Sequence, residues 1–295
     1  MAQSARSASV YFGKNVNRTR RRGMIRGAVR VIVLLVIVGI VLTPFYISLL
    51  YSIKSHSDIS LNRLAWPEEP TLDNYSRVIQ ENKYVAIGFK NSILTTIPTT
   101  LILLFTTSMA SYVLARYNSR FYKVMYSLFI SGVLVPFQCI MLPLYVNIYN
   151  MGLDSTNLGF ILARSGFQVS ISVLSVTGFV KGIPRDLEQA ANIDGCGRFR
   201  TFWQIVFPLM TPINVTQLVL NTLFIWNDYS TSIILLREKD SKSLTLAQIQ
   251  YFNGKTTELN EAFAFFILAM IPILALYLLC QKYIISGITA GAVKG

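Results

Sequence analysis

Six long apolar stretches divide this chain of 295 residues and restrict its fold. A helix needs about 20 apolar residues to cross the hydrocarbon core of a bilayer, and each stretch reaches that length. Because a backbone in lipid must satisfy its own hydrogen bonds, runs of this length predict helices. The sequence therefore predicts an all-α membrane protein with six transmembrane helices. The predicted spans are 28–53, 91–115, 122–149, 157–180, 203–230 and 262–285.

The composition supports a membrane location, and the distribution of charge predicts the orientation. Only 14% of the residues are charged, whereas a soluble domain usually has about 25%. With a cytoplasmic N-terminus, the inner segments and their flanks carry 17 Lys and Arg residues, and the outer segments carry nine. Cytoplasmic loops are enriched in positive charge, so both termini are predicted to be cytoplasmic. The net charge of +13 is thus a topology signal, and we expect no nucleic-acid partner.

Several function classes lack the residues they need. Three widely spaced cysteines and a single histidine offer little for a metal site or a Cys/His catalytic pair. The G-x-x-x-x-G-K-[ST] sequence that holds ATP phosphates does not occur. We therefore expect no catalytic residue, no metal and no cofactor, and any ATP must be bound by a separate subunit. The first apolar run is too long for a signal peptide and is expected to remain as an anchor.

A polar segment interrupts the apolar pattern between the fourth and fifth spans, in a loop predicted to be cytoplasmic. It reads EQAANIDGCGRFRTFWQIVFP over residues 188–208. Pro184 suits the first turn of a helix, Asp186 and Glu188 favour its dipole there, and Gly195 suits its end. We predict a short helix with a small apolar face turned outward to a protein partner; the alternative is a helix resting on lipid headgroups. The residues of that face are Leu187, Ala190 and Ala191.

This segment resembles the cytoplasmic-loop signature of bacterial ATP-binding-cassette (ABC) importer permeases. That signature is Glu-Ala-Ala, three residues, Gly, nine residues, Ile, one residue and Leu-Pro. Aligned on Gly195, the spacing matches throughout, with Gln189 in place of Glu, Phe207 in place of Leu, and Glu188 available to supply the charge. The resemblance implies the type I ABC importer permease fold, in which this loop is the coupling helix that docks on the ATPase. The residues implied in that contact are Glu188, Gln189, Ala190, Ala191, Asp194, Gly195, Ile205 and Pro208.

Three further segments resemble carbohydrate importer permeases. WNDY at 226–229 is similar to their Trp-Asn-Asp/Glu segment, and SLTLAQIQYFNG at 243–254 is similar to the external segment that follows. SGITAGAVKG at 286–295 is similar to the tail of maltose-type second permeases, which enters the ATPase dimer. The resemblance therefore implies that Gly291 and Lys294 contact the ATPase.

The resemblance implies a transport subunit rather than an enzyme, located in the bacterial cytoplasmic membrane. Its implied substrate is a sugar or oligosaccharide delivered by an external solute-binding protein. The other implied partners are two copies of an ABC ATPase, a second homologous permease and membrane lipid. Two alternatives stay open: a permease for a glycerophosphodiester, polyamine or oligopeptide, and a stand-alone secondary transporter. Secondary transporters often have internal repeats and buried ion-coupling acids, but Asp228 is the only acid in a predicted span.

The predicted organisation follows the spans. A basic N-terminal tail precedes the first helix and its external segment, and a transmembrane core of five helices precedes a short C-terminal tail. These parts cover residues 1–27, 28–85, 86–285 and 286–295, with the coupling loop at 181–203.

Polar side chains within apolar spans are costly in a bilayer and therefore mark candidate functional positions. In the fifth span they recur at spacings of three, four and seven, which puts them on one helix face. Two interpretations stay open, a lining for a sugar path and hydrogen bonding between permease halves. The substrate-path candidates are Gln138, Arg164, Gln168, Asn214, Gln217, Asn221, Asn227 and Asp228.

Arg164 and Asp228 are predicted to form an ion pair near the outer ends of their spans. Helical rise places Arg164 roughly 10 Å, and Asp228 about 3 Å, below the same membrane boundary. The gap of roughly 7 Å lies within reach of an arginine side chain. In the alternative, Arg164 faces a water-filled cavity and Asp228 caps the external loop.

Overall fold

The computed structural model describes residues 2–80, 83–252 and 258–292, with side chains between residues 27 and 282 apart from Gln250. The described backbone is helical and contains no β-strand, which confirms the all-α prediction. The helices are α1 (Ala2–Ser52), α2 (His56–Leu61), α3 (Asp73–Gln80), α4 (Lys83–Arg116), α5 (Arg120–Val133), α6 (Phe137–Asn150), α7 (Asn157–Lys181), α8 (Asp186–Ile193), α9 (Arg198–Thr201), α10 (Phe207–Leu209), α11 (Thr211–Trp226), α12 (Ser230–Leu235), α13 (Leu244–Ala247) and α14 (Leu259–Ala292). A π-helical turn covers Phe202–Val206, and 3-10 turns cover Lys239–Ser241 and Gln248–Tyr251.

Among the described residues, four helices are long and apolar enough to cross a membrane alone. They are Gly27–Ser52 of α1, α4, α7 and Leu259–Lys282 of α14, and they correspond to the first, second, fourth and sixth predicted spans. The third and fifth predicted spans are bent helix pairs. α5 and α6 meet at 104°, and the helical segment Arg198–Leu209 meets α11 at 74°. Each of these two predicted spans is thus a bent helix pair, and a single crossing over 122–149 or 203–230 stays a prediction.

Proline residues lie at both bends. Pro136 precedes α6 in an extended conformation, with φ −63° and ψ 138°. Proline has no N–H to continue the helix before it, and it disfavours helical geometry in the preceding residue. In the second bend, Pro208 and Pro212 lie on either side of Met210, where the chain turns from α10 into α11.

The centre of the fold is a polar contact between α4, α7 and α11. Most buried positions of α4 are Thr or Ser. Small hydroxyl side chains allow close backbone approach and hydrogen bonds between helices, which is how helices associate in lipid without a hydrophobic driving force. For example, the Ser108 hydroxyl donates to the side-chain oxygen of Asn214 at 3.0 Å. α1, by contrast, is exposed over residues 27–46 and is buried only near its end, from Leu50 to Ser52.

α4 connects the two ends of this bundle. Its C-terminal residue Arg116 contacts α8, and its N-terminal half contacts the turn Lys239–Ser241 and α13. α14 closes the other side, where the Trp226 indole N–H donates to the Ala269 carbonyl at 3.2 Å. The two candidate sites described next lie at these opposite ends.

Candidate functional sites

α8 is a short helix that follows α7. We call residues 181–203, which include α8 and α9, the α8 loop. α8 covers Asp186–Ile193 and carries Asp186 and Glu188 in its first turn, where carboxylates favour the helix dipole. Gly195 follows with a φ of +81°, a left-handed conformation that suits a residue without a side chain. The predicted helix and its glycine stop are confirmed.

The two faces of α8 have different environments. Glu188 and Ala191 are buried within this chain, with 9% and 5% of their surfaces exposed. Leu187 and Ala190 are exposed. The prediction that Ala191 points outward beside them is wrong. α8 contacts the C-terminal end of α4, and the three-residue spacing from Glu188 turns Ala191 towards the same side.

A buried ion pair, which we call the loop pair, ties α8 to α4. Arg116 donates from both Nε and Nη2 to Oε1 of Glu188, each at 2.6 Å. The Tyr112 hydroxyl donates to Oε2 of the same carboxylate at 3.0 Å. This carboxylate is engaged within its own chain, and the predicted part of Glu188 in an ATPase contact stays a prediction. Sequence reasoning missed both donors, Arg116 and Tyr112. The available signal was Arg116, a basic residue just after the second predicted span.

Two further contacts join the start of the α8 loop to α4. The same Nη2 of Arg116 donates to the Ile183 carbonyl at 3.1 Å. Arg185 donates to the carbonyls of Ala115 and Arg116 at 3.4 and 3.3 Å. The last carbonyls of a helix have no partner within it, so Arg185 satisfies groups that α4 leaves open. The α8 loop is thus held to α4 from both directions.

The remaining predicted loop residues lie on the surface or at the bend. Gln189 and Asp194 are exposed, Ile205 is half-buried in the π-helical turn, and Pro208 is exposed where the chain bends. Large apolar side chains are exposed beside them, with Ile193 at 87% and Phe199 at 71%. Of the predicted tail residues, Gly291 lies in α14 and Lys294 lies outside the described residues.

The opposite end of the bundle contains a second buried ion pair, which we call the cavity pair. Nη1 of Arg164 lies 3.3 Å from Oδ2 of Asp228, and the side chains are 8% and 6% exposed. Asp228 Oδ1 also accepts the backbone N–H groups of Thr231 and Ser232, and Oδ2 accepts the Thr231 hydroxyl. The predicted pair is confirmed, and the alternative role of Asp228 as a cap is present at the same time.

A cavity of about 610 Å³ adjoins the cavity pair, and we call it the Arg164 cavity. Four of the eight substrate-path candidates line it, namely Gln138, Arg164, Asn227 and Asp228. Nε of Arg164 is buried and has no hydrogen-bond partner among the described residues. The rest of the lining combines aromatic and apolar side chains with hydroxyl-bearing ones. Its other members are Phe137, Phe167, Leu220, Leu223, Phe224, Tyr229, Ser230 and Thr231.

The other four candidates are buried among α4, α7 and α11. The side-chain oxygen of Asn221 accepts a hydrogen bond from Gln168 at 3.1 Å. Asn214 accepts one from α4, and Gln217 is 6% exposed. Their contacts correspond to the second of the two interpretations, hydrogen bonding between helices, although within this chain rather than between two permease halves. A role for them in a solute path stays a prediction.

The described side chains provide no group of three or more His, Cys, Asp or Glu residues that could hold a metal ion. The buried carboxylates of both sites, Glu188 and Asp228, are already paired with arginines. Their chemistry suits binding and positioning.

The sequence matches known transport proteins over most of its length. Residues 102–290 match the sequence model of the family described as binding-protein-dependent transport system inner membrane component. The probable starch degradation products transport system permease protein AmyC of Thermoanaerobacterium thermosulfurigenes is 35% identical, over 88% of this chain and 96% of its own. The melibiose/raffinose/stachyose import permease protein MelC of Bacillus subtilis is 34% identical, over 85% of this chain and 91% of its own.

The fold also matches a solved structure. The crystal structure of a bacterial ABC transporter involved in the import of the acidic polysaccharide alginate contains a similar chain, with a TM-score of 0.79 and 20% identity. The match covers 88% of this chain and 96% of that one. At this identity the likeness establishes a shared fold, and the sequence matches establish the family. The chain therefore belongs to the inner membrane components of binding-protein-dependent transport systems, which are multi-pass transport subunits rather than enzymes.

Proposed function

We propose that this chain is the permease subunit of an ATP-driven importer for a sugar or oligosaccharide. The observation that carries the proposal is similarity over nearly the whole chain to permeases whose substrates are starch degradation products and melibiose, raffinose or stachyose. These relatives do not favour a glycerophosphodiester, polyamine or oligopeptide. Membership of a binding-protein-dependent family likewise disfavours a stand-alone secondary transporter.

The proposed topology has six crossings with both termini in the cytoplasm. The excess of Lys and Arg in alternate connecting segments supports it. Each bent helix pair then counts as one crossing. In this orientation the α8 loop is cytoplasmic, and the Arg164 cavity lies towards the outer surface of the membrane.

The α8 loop is the proposed docking site for the ATPase. Its exposed face carries small and apolar side chains, Leu187, Ala190 and Ile193, in a region that the topology places in water. An exposed apolar surface of this kind is typical of a protein contact. Glu188 and Ala191 then hold the loop in shape rather than touch the partner. Contact of the C-terminal tail with the ATPase stays part of the proposal, as does the presence of two ATPase copies and a second permease.

The Arg164 cavity is the proposed contact between this subunit and the solute. Aromatic rings such as Phe224 and Tyr229 offer flat surfaces to the C–H faces of a sugar, and the exposed amides of Gln138 and Asn227 can bond its hydroxyls. The guanidinium of Arg164 adjoins the same cavity and adds positive charge to its lining. The chain needs no cofactor for this role, because ATP belongs to the partner.

Uptake measurements test the solute class. Cells lacking this gene and cells with it restored are compared for accumulation of labelled oligosaccharides, glycerophosphodiesters, polyamines and oligopeptides. We expect the restored gene to return uptake of an oligosaccharide. Restoration of one of the other solutes alone would replace the proposed substrate.

A charge on the exposed face of α8 tests the docking site. We expect Ala190→Glu to abolish co-purification of the ATPase and solute uptake, because a desolvated, unpaired carboxylate opposes a close apolar contact. The matched control is Asn118→Glu, which adds the same charge at an exposed position in the turn after α4. Normal ATPase binding by Ala190→Glu, at normal membrane abundance, contradicts docking at this face.

A further inference from the structure

α4 touches both candidate sites, one at each end. It spans Lys83–Arg116, 34 residues in one helix, which gives a length of about 50 Å at 1.5 Å per residue. Its C-terminal end carries Arg116 of the loop pair. Its N-terminal half contacts the segment between Lys239 and Ala247, which in turn contacts the cavity pair.

The contact at the α8 end is a rigid joint rather than a single bond. The Glu188 carboxylate uses both oxygens, and Arg116 bonds that carboxylate and the Ile183 carbonyl at once. Charge-assisted bonds of this kind are short and directional. A displacement of α8 therefore requires either movement of the end of α4 or rupture of several buried bonds.

The contact at the other end is made mainly to backbone. The Asn91 amide donates to the carbonyls of Asp240 and Lys242 at 2.8 and 3.1 Å. The Ser92 hydroxyl accepts the Leu244 N–H at 2.9 Å. Next to them Gly88 approaches so closely that an added Cβ would lie 3.1 Å from the Leu244 Cα. α4 and this segment are thus packed without space for independent movement.

One further bond reaches the Arg164 cavity. The Thr245 hydroxyl, one residue beyond Leu244, donates to the backbone carbonyl of Asp228 at 2.8 Å. Asp228 holds Arg164 with its carboxylate. A continuous chain of buried contacts therefore runs from α8 through α4 and α13 to the cavity pair.

We propose that α4 is the connecting element that carries movement of α8 to the Arg164 cavity, with Arg116–Glu188 as its inner joint and Asn91 as its outer joint. The inference rests on the proposed docking of the ATPase at α8. These residues act as positioning residues, since none of them needs to touch ATP or solute. Contact alone does not establish energetic coupling between two sites, so the joints are tested by uncoupling them.

The variants break one joint at a time. Arg116→Met with Glu188→Met removes the loop pair while keeping its volume and leaving no unpaired charge. Asn91→Ala removes the two side-chain bonds of the outer joint and leaves the Ser92 bond in place. The matched controls are Arg120→Met, an exposed arginine at the start of α5, and Lys90→Ala, an exposed residue of α4 next to Asn91.

The measurement is the number of ATP molecules hydrolysed per solute imported by the complete transporter in proteoliposomes. We expect each joint variant to raise this ratio on the order of tenfold, within the range of coupling free energies between sites, while the ATPase stays bound. The controls should keep the wild-type ratio. In the contrary outcome, a joint variant has lower abundance or weaker ATPase binding while its ratio of ATP to solute stays at the wild-type value. That result indicates a merely structural role and overturns the inference.

Combining the joints gives a second, independent test. If both lie on one path, the triple variant Arg116→Met/Glu188→Met/Asn91→Ala should have the ratio of its more damaged parent, because one broken joint already interrupts the path. A ratio equal to the product of the two separate effects overturns the single path. Failure of the wild-type chain to bind the ATPase would instead refute the proposed docking site, so the two failures are distinguishable.

Discussion

The loop pair and the cavity pair use the same chemistry in different surroundings. Both join an arginine to a carboxylate, and all four side chains are at least 88% buried. Glu188 receives its other bond from Tyr112, a side chain 76 positions away. Asp228 receives its other bonds from Thr231 and Ser232, in the next turn of its own chain.

The loop pair is therefore a tie, that is, a tertiary contact between two helices. The Asp228 carboxylate of the cavity pair is instead a local cap of the helix that follows it. Removing the loop pair removes the side-chain contact between α8 and α4 but leaves each helix intact and the Arg185 bonds in place. Removing Asp228 also opens the start of α12, because its carboxylate satisfies backbone N–H groups that no helix carbonyl can reach.

The two arginines also differ in their other bonds. Arg116 donates to the Ile183 carbonyl at 3.1 Å. Arg164 donates to the Phe224 carbonyl at 3.3 Å, and its Nε has no partner among the described residues. The loop pair should matter more for coupling, and the cavity pair more for stability.

The largest expected effect comes from neutralising one member of the cavity pair. Asp228→Asn leaves the buried Arg164 charge without a counter-charge, and we expect a loss of about 3–5 kcal/mol in the free energy of unfolding. Arg164→Gln should cost less, about 1–2 kcal/mol, because Asp228 keeps three other hydrogen bonds. Thermal denaturation of the purified complex measures both changes.

The double variant Arg164→Gln/Asp228→Asn serves as the control for this asymmetry. It leaves no buried charge, so its stability should lie closer to wild type than that of Asp228→Asn. A greater loss in Arg164→Gln than in Asp228→Asn would contradict the comparison. Such a result would mean that water in the Arg164 cavity, rather than Asp228, stabilises the guanidinium.

A smaller effect distinguishes the two pairs when both members become apolar. Replacing the loop pair with Met at both positions should change the free energy of unfolding by about 1 kcal/mol or less, since a well-packed apolar pair can replace a buried ion pair. Arg164→Met/Asp228→Leu should cost about 2–3 kcal/mol, because the cap of α12 is lost and its N–H groups stay unbonded.

The melting temperatures of the two double variants, measured in the same detergent, make this comparison. Thr231→Val is a useful reference, since it keeps the carboxylate and the capped N–H groups. Equal losses for the two double variants would show that Asp228 acts only as a counter-charge.

Sequence reasoning worked where the signal is local. The length of the apolar runs predicted the four long apolar helices, and Gly195 marked the end of α8 because a left-handed φ favours glycine. Helical rise also predicted that Arg164 and Asp228 differ in depth by only roughly 7 Å, and they form an ion pair at 3.3 Å. Each of these conclusions follows from a chain segment and a membrane boundary alone.

Sequence reasoning failed where the orientation of a residue or the shape of a helix depends on distant parts of the chain. The orientation of Ala191 depends on Arg116 and Tyr112, which precede it by more than 70 positions and bind the carboxylate three residues before it. Proline gives a second example: Pro98 stays inside α4, yet Pro136 lies at a bend of 104°. Membrane helices accommodate proline when neighbours satisfy the freed carbonyls, and those neighbours are not visible in a local pattern.

The smallest expected effect comes from deleting one hydroxyl beside each pair. Tyr112→Phe removes the bond to Glu188, and Thr231→Val removes the side-chain bond to Asp228. We expect each to lower the free energy of unfolding by about 1 kcal/mol, because the principal bonds of both carboxylates remain. Only Tyr112→Phe should also raise the ATP hydrolysed per solute, by at most about fivefold, the ratio that 1 kcal/mol supports.

The prediction follows from where each hydroxyl lies. The Tyr112 hydroxyl bridges α4 and α8, so its loss loosens the contact through which α8 moves α4 in the proposed mechanism. The Thr231 hydroxyl bonds Asp228 three residues away, so its loss weakens a turn without separating any two helices. Paired measurements of melting temperature and ATP per solute therefore separate the two roles. If Thr231→Val raises the ratio as much as Tyr112→Phe does, the cavity pair is itself part of the coupling machinery, and the distinction between a tie and a cap fails.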